Sequence, residues 1–287
     1  MTVSRPSARS AARSPSSRTA FPGLFWLVFG ASLALSLRVA QVDPRALFGG
    51  DARANIVRFV SGMFPPDLSA DFLGFLARPV VETIQISIAG TALAVLIGLP
   101  LGVLATSTLA WSGVLHERRR GSARVVAFGA YAAARGLLSV FRSIPEFVWA
   151  FMFVRAVGLG PFPGMLAIGV AYGGMLGKVY SEILEGVNPR PLETLQAAGA
   201  GRLALVAYGV FPQALPAFVS YTLYRWECAI RASAILGFVG AGGLGQQIEL
   251  SMRMFNFHEV LTLLGILWVL VAGADTLSGV IRRRITR

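Results

Sequence analysis

Residues 83–116 read TIQISIAGTALAVLIGLPLGVLATSTLAWSGVLH, with no Asp, Glu, Lys or Arg among them. A helix needs about 20 apolar residues to cross the ~30 Å hydrocarbon core of a bilayer. This run crosses once with residues to spare, so it continues past the bilayer or turns near Ser107–Ser112. Gly98 and Pro100 are placed to bend it. The rest of the chain agrees. Of its 287 residues 55% are hydrophobic and 14% charged, and the mean hydropathy is +0.65. Soluble domains carry about 25% charged residues. A water-soluble fold of this size cannot cover so much apolar surface, whereas a bilayer solvates it. The expected class is an all-α integral membrane protein.

Working outward, the charges mark the ends of the spans. The net charge is +12, which alone would fit a nucleic-acid partner. Its distribution excludes that. Arg5, Arg9, Arg13 and Arg18 precede the first apolar stretch; Arg118, Arg119, Arg120 and Arg124 fill a hydrophilic break; Arg282, Arg283, Arg284 and Arg287 follow the last stretch. Basic residues gathered at span ends are the positive-inside pattern. Six spans put all three clusters in the cytoplasm, with both termini. We expect a disordered basic tail over 1–20, a first transmembrane helix over 21–40, and an external loop with short surface helices over 41–78. A membrane-spanning core follows over 79–281, and a basic cytoplasmic tail over 282–287. Within the core, spans are expected near 143–159, 163–180, 206–234 and 259–280, with a glycine-rich external connection over 237–257. The apolar stretch 125–141, which contains Arg135, is read as a cytoplasmic or partly inserted lead-in; a seventh span there is the alternative topology.

The single cysteine, Cys228, excludes an intrachain disulfide and a thiolate cluster, and His116 and His258 stand far apart. No metal site and no bound cofactor are expected.

Two further stretches carry function. Glu193-Thr194-Leu195-Gln196-Ala197-Ala198-Gly199 lies in a polar segment over about 182–212, which ends at Gly209-Val210-Phe211-Pro212. Small residues there permit close packing against a partner. On residues alone this is equally an ordinary cytoplasmic helix-turn. The second stretch, Tyr224-Arg225-Trp226-Glu227-Cys228-Ala229-Ile230-Arg231, puts three charges inside a span, where charge is costly and usually functional. Glu227 and Arg231 are four apart and share a helix face, so a local ion pair is expected; Arg225 points elsewhere and is expected to be the free positive charge. Arginines that snorkel to an interface are the plain alternative. Gly237, Gly240, Gly242, Gly243 and Gly245 follow. This loop has no Lys-Ser/Thr ending and no preceding strand, so it is not a nucleotide loop.

The polar segment resembles the coupling loop of importer-type ABC transporter permeases, the binding-protein-dependent transport inner membrane component family. Glu193, Gly199 and Pro212 stand at the family's spacing; Thr194, Leu195, Gly209 and Phe211 depart from its usual residues. Tyr224 to Glu227, Ile230-Arg231 and Val239 to Gly243 resemble the phosphonate/phosphite branch. So do Phe64-Pro65-Pro66-Asp67, Glu82-Thr83, Pro145-Glu146 and Gly158-Leu159-Gly160-Pro161. Ala229 departs from the Asn usual there. The resemblance implies the six-helix type I importer permease fold, in a bacterial cytoplasmic (inner) membrane. It implies a homodimer of permeases, two ATP-binding cassette subunits carrying ATP-Mg, an external solute-binding protein and a small anionic solute. It further implies coupling to the ATPase through Glu193, Ala197, Gly199 and Pro212. Pathway or gate candidates are Arg225, Glu227, Arg231, Gly240, Gly242 and Gly243.

The chain has no Walker sequence, so it is expected to be a transport subunit and not an enzyme. Permeases for other small solutes such as methionine share the glycine-rich loop and remain an alternative. A secondary transporter would show internal repeats, and none is evident. The topology has a direct check: reporter fusions after Gly121 and Arg287 should both read cytoplasmic and one near Asp67 external, while opposite readings at 121 and 287 would exclude six spans.

Overall fold

The computed structural model describes residues 20–41, 49–110, 122–201 and 204–285. The basic tail before Ala20 and the Arg118–Arg120 cluster lie outside the described residues, as do Arg202 and Arg287. Every regular element among the described residues is helical: α1 (Ala20–Val39), α2 (Gly50–Gly62), α3 (Ala70–Leu104), α4 (Ser107–Ala110), α5 (Ser122–Ser143) and α6 (Glu146–Val157), then α7 (Pro161–Glu185), α8 (Pro189–Ala197), α9 (Phe211–Gly237), α10 (Gly243–Arg253) and α11 (Phe257–Ile285). A π-helical stretch, Leu205–Val210, leads directly into α9. The chain divides into two units, one ending at Phe59 and one from Val60 onward. The first holds the apolar helix α1, as the charge-free stretch requires.

Among the described residues four helices are long and apolar enough to cross a membrane: Ala70–Leu104, Arg124–Ser143, Pro161–Glu185 and Phe257–Ile285. The expected six spans are not recovered by length and composition alone. α9 is 27 residues long but carries the three charges. The span expected near 143–159 is a 12-residue helix, α6, too short to cross alone. The stretch expected as a lead-in is instead the long apolar α5. The break falls at Pro145, whose ring disfavours helix at the residue before it. α5 and α6 both pack along α7. Leu138, Phe141 and Arg142 sit over Gly174 and Gly177, and Arg135 reaches Glu185 at the far end of α7. At the other end Gly160 N–H donates to the Gly240 carbonyl at 3.0 Å. The two pieces together therefore pass α7 once.

Two boundaries also move. α3 begins at Ala70, inside the segment expected as loop, and is one 35-residue helix with Pro79 and Pro100 within it. The preceding turn is tied down: Asp67 N–H donates to the His258 carbonyl, and Thr262 Oγ1 donates to the Asp67 carbonyl at 2.7 Å. The connection after Gly237 contains α10, so it is not an open loop.

The core is the contact between α3 and α7. Lipid tails are as apolar as leucine, so helices in a bilayer gain little from hydrophobicity and associate by close packing. Here the residues that meet are small. A Cβ on Gly98 would lie 2.9 Å from the Gly177 nitrogen, and one on Gly177 2.9 Å from the Gly98 carbonyl oxygen. Ile86, Ala94, Ala167, Ile168, Ala171 and Leu176 fill the same buried cluster. Gly98→Leu should therefore force two backbones apart, at the upper end of the ~1–3 kcal/mol typical of overpacking. Fluorescence-detected size exclusion should show loss of the folded peak. Gly23→Leu, in open space on α1, should leave the peak unchanged.

Candidate functional site

The residues singled out in the sequence fall into three places. The first is α8 and its flanks. Pro189 and Pro191 open the helix, and Asn188 caps it by accepting the Arg190 N–H, which satisfies an orphan amide at a helix start. Glu193, Ala197, Gly199 and Pro212 are all exposed. Gly199 has φ +84°, and a Cβ there would meet nothing within 4 Å. It ends the helix in the left-handed region that glycine adopts at least cost. Leu192 is the buried residue of α8. It sits over Gly209 in the π stretch, where a Cβ would approach its Cδ2 to 2.3 Å. The departure to Gly at 209 thus has a local reason: it gives Leu192 a seat.

The second place is the junction of Glu82-Thr83, Gly158–Pro161 and the glycine loop, three stretches far apart in sequence. Gly240, Gly242 and Gly243 have φ of +89°, +80° and +70°. Gly243 N–H donates to Glu82 Oε2 at 3.2 Å, and the buried Leu244 N–H donates to Thr83 Oγ1 at 2.9 Å. Glu82 also accepts from Arg78 Nε at 3.0 Å. A carboxylate at the start of α10 suits the positive end of that helix. A cavity of about 520 Å³ opens here, lined in part by Arg78, Glu82, Pro161, Gly243 and Gln246. Gly245 packs on α9 so closely that a Cβ would lie 1.8 Å from the Ala234 oxygen.

The third place is the charged part of α9. Arg225 donates from Nε and Nη2 to Tyr221 Oη at 3.0 and 2.9 Å. Its guanidinium carbon lies 5.5, 5.3 and 5.8 Å from the ring centres of Tyr172, Tyr221 and Tyr224, within the range where an aromatic face attracts a cation. Among the described residues it has no carboxylate partner. The expected local pair between Glu227 and Arg231 is not formed. Glu227 is 7% exposed and accepts from Arg282 Nη2 of α11 at 2.6 Å. Arg231 is exposed and donates to Cys228 Sγ at 3.5 Å. The i,i+4 rule describes what a lone helix offers; packing against α11 supplied a partner that sequence spacing could not indicate.

One cluster escaped the sequence reading. Glu185 Oε1 accepts from Arg135 Nη2 at 2.7 Å and from Ser107 N–H at 2.8 Å, while Arg135 Nε donates to the Ala105 carbonyl at 2.9 Å. It ties the ends of α3 and α7 and the start of α4 to the middle of α5. The only sequence signal was an arginine in an otherwise apolar stretch. Among the described residues no group of side chains could hold a metal ion.

Residues 123–287 match the family described as binding-protein-dependent transport system inner membrane component. The chain belongs to that family. It is 35% identical over 257 residues to the phosphite transport system permease protein PtxC of Stutzerimonas stutzeri, a match covering 90% of this chain and 86% of that one. It is 32% identical over 241 residues to the phosphate-import permease protein PhnE of Mycolicibacterium smegmatis, covering 84% of this chain and 42% of that one. Among solved structures it is similar to a chain of the inward-facing MetNI methionine ABC transporter. The TM-score is 0.63 at 25% identity, covering 77% of this chain and all of that one. The fold is that of the ABC importer permeases, and this permease is a multi-pass protein of the inner membrane.

The pairing around Glu227 has a direct check. Arg282→Gln should leave a buried carboxylate without this partner and destabilise the permease by about 3–5 kcal/mol. Glu227→Gln combined with Arg282→Gln should recover much of that in thermal unfolding. Equal coupling of Glu227 to Arg231 in the same double-mutant cycle would contradict the observed pairing.

Proposed function

We propose that this permease is the membrane-spanning subunit of an ATP-driven importer that carries phosphite, phosphonate or a related oxidised-phosphorus anion inward. The observation that carries this reading is the similarity to the phosphite permease along nine-tenths of the chain. The methionine reading rests on more distant likeness, 24% identity to a D-methionine permease of Haemophilus influenzae. In the proposed mechanism two copies of this chain enclose the route, six spans each, with both termini cytoplasmic. Two separate ATPase subunits bind ATP-Mg and close, the exposed α8 segments move together, and the pair of permeases opens outward to a solute-binding protein. Hydrolysis resets them. The permease alters no bond of the solute; it alternates access by rigid-body movement. Glu193, Ala197, Gly199 and Pro212 form the contact with the ATPase. Arg225, Glu227, Arg231 and the glycines at 240, 242 and 243 shape the pathway and its gate.

What supports the coupling role is exposure combined with a rigid seat. Glu193 and Ala197 face outward on a short capped helix, and Leu192 anchors that helix to the start of α9. The test is the complex rebuilt in proteoliposomes with its ATPase and binding protein. It should accumulate labelled phosphite when ATP is supplied, and methionine should not replace it. Glu193→Lys and Ala197→Arg should leave the permease folded yet abolish solute-stimulated ATP hydrolysis or retention of the ATPase. Wild-type coupling in both variants would refute the role, and ATP-driven uptake of methionine in place of phosphite would refute the solute assignment.

A further inference from the structure

Among the described residues Arg231 forms no ion pair. Glu227, four residues before it, is buried and held by Arg282. Cys228 Sγ, at 3.5 Å, is a weak acceptor. Among the described residues no carboxylate lies within ion-pair distance. Asp275 on α11, itself exposed, is the other carboxylate whose field reaches it. Tyr224, Cys228, Arg231 and Ile235 fall at i, i+4, i+7 and i+11, along one face of α9. Tyr224 is 44% and Ile235 55% exposed, and Arg231 is exposed between them. The helix turns other faces to its neighbours: the Arg225 guanidinium meets Tyr172 of α7 and Glu227 meets α11, while Cys228 is half-buried against the core cluster that holds Tyr172. An arginine within a membrane helix faces water or protein, not hydrocarbon.

We propose that this face of α9 lines the aqueous route of the solute, and that Arg231 is the fixed cation on which a small oxyanion rests during passage. The proposal rests on the importer reading above and assigns its anion contact to one residue. A guanidinium presents parallel N–H donors to two oxygens of a tetrahedral anion. Arg231 is placed to do so because it forms no ion pair among the described residues and its side chain is open. Arg225 differs: its Nε and Nη2 are already bonded to Tyr221, so it adds positive potential from a fixed position and offers fewer donors. Such an unpaired cation also makes the route selective, since it attracts anions and repels metal ions.

Cys228 is the sole cysteine of the chain and lies one turn from Arg231, so it reports on the local potential. In the complete reconstituted complex, Cys228 should react faster with the anionic thiol reagent MTSES than with the cationic MTSET, read by mass spectrometry. Saturating phosphite should slow the reaction, and Arg231→Gln should abolish the preference for the anionic reagent. Phosphite uptake by the Arg231→Gln complex should fall about tenfold or more, the size of losing one hydrogen bond to a charged group. Arg231→Lys should retain more uptake than Arg231→Gln, and both should keep the ATPase bound. Cys228 that reacts with neither reagent would show this face closed to water and overturn the proposal, even if Arg231→Gln fails to assemble. Wild-type uptake by Arg231→Gln would overturn it too. Restoration of uptake by Arg231→Gln with Asp275→Asn would also do so, by showing an ion pair instead of an anion site. A wild-type complex that moves no phosphite would sink the importer reading itself, visible before any variant is made.

Discussion

The backbone-to-backbone approach of α3 and α7 is the constraint on which the rest of this permease depends. In water, burying leucine would hold two helices together. In lipid that term is nearly absent, so contact distance decides. Gly90, Gly98 and Gly102 on α3 meet Ile168, Leu176, Gly177 and Tyr180 on α7. With that pair fixed, Gly174 and Gly177 on α7 present small surface to α5, and Tyr172 and Tyr180 are left to meet α9. Tyr180 Oη and Thr222 Oγ1 share a short hydrogen bond, and the Tyr180 ring lies 4.5 Å from that of Phe218. α9 is thereby set against both helices of the core, and its charged residues acquire defined neighbours.

Polar satisfaction then sorts those charges into different roles. A buried carboxylate needs a cation, and Glu227 obtains one from the last turn of α11. A guanidinium without a carboxylate is tolerated where aromatic faces and a phenol oxygen surround it, which is the situation of Arg225. Arg231 has neither. The same accounting holds at the glycine junction: the amides at the start of α10 are answered by Glu82 and Thr83 on α3, so the loop is fixed by side chains and not by strand pairing. The buried Trp226 Nε1 has no acceptor among the described residues, and nothing in the structure explains it.

Much of the fold was legible because its signals are local. Apolar runs marked α1, α3, α7 and α11, and the family spacing at Glu193, Gly199 and Pro212 marked the polar segment. What was not legible depended on contacts between distant residues. Hydropathy alone placed a span at 143–159, but Pro145 divides that pass into α5 and α6, with α7 as the template for both. Glu227 and Arg282 are 55 residues apart, and Glu82 and Gly243 are 161 apart. No periodicity within one helix reveals such pairs. The resemblance had marked Glu82-Thr83, Gly158–Pro161 and the glycine loop separately; the structure shows that they are one junction.

The placement of α8 gives the proposed coupling a physical route. A signal from an ATPase must reach the charges of α9 without being absorbed by a soft joint. The helix bearing Glu193 and Ala197 touches the π stretch through Leu192 and Leu195 over Gly209. The π stretch passes without interruption into α9, so the seat of Leu192 and the guanidinium of Arg231 belong to one continuous helical body. Small helices on flexible linkers would lose the displacement between them; in the proposed coupling the apolar seat over Gly209 and the unbroken helix after it would carry it. The cluster of Arg135, Glu185 and Ser107 ties the ends of α3 and α7 to the middle of α5. In the proposed mechanism this tie would be the frame against which α8 and α9 move, since rigid-body alternating access needs a moving body and a fixed one.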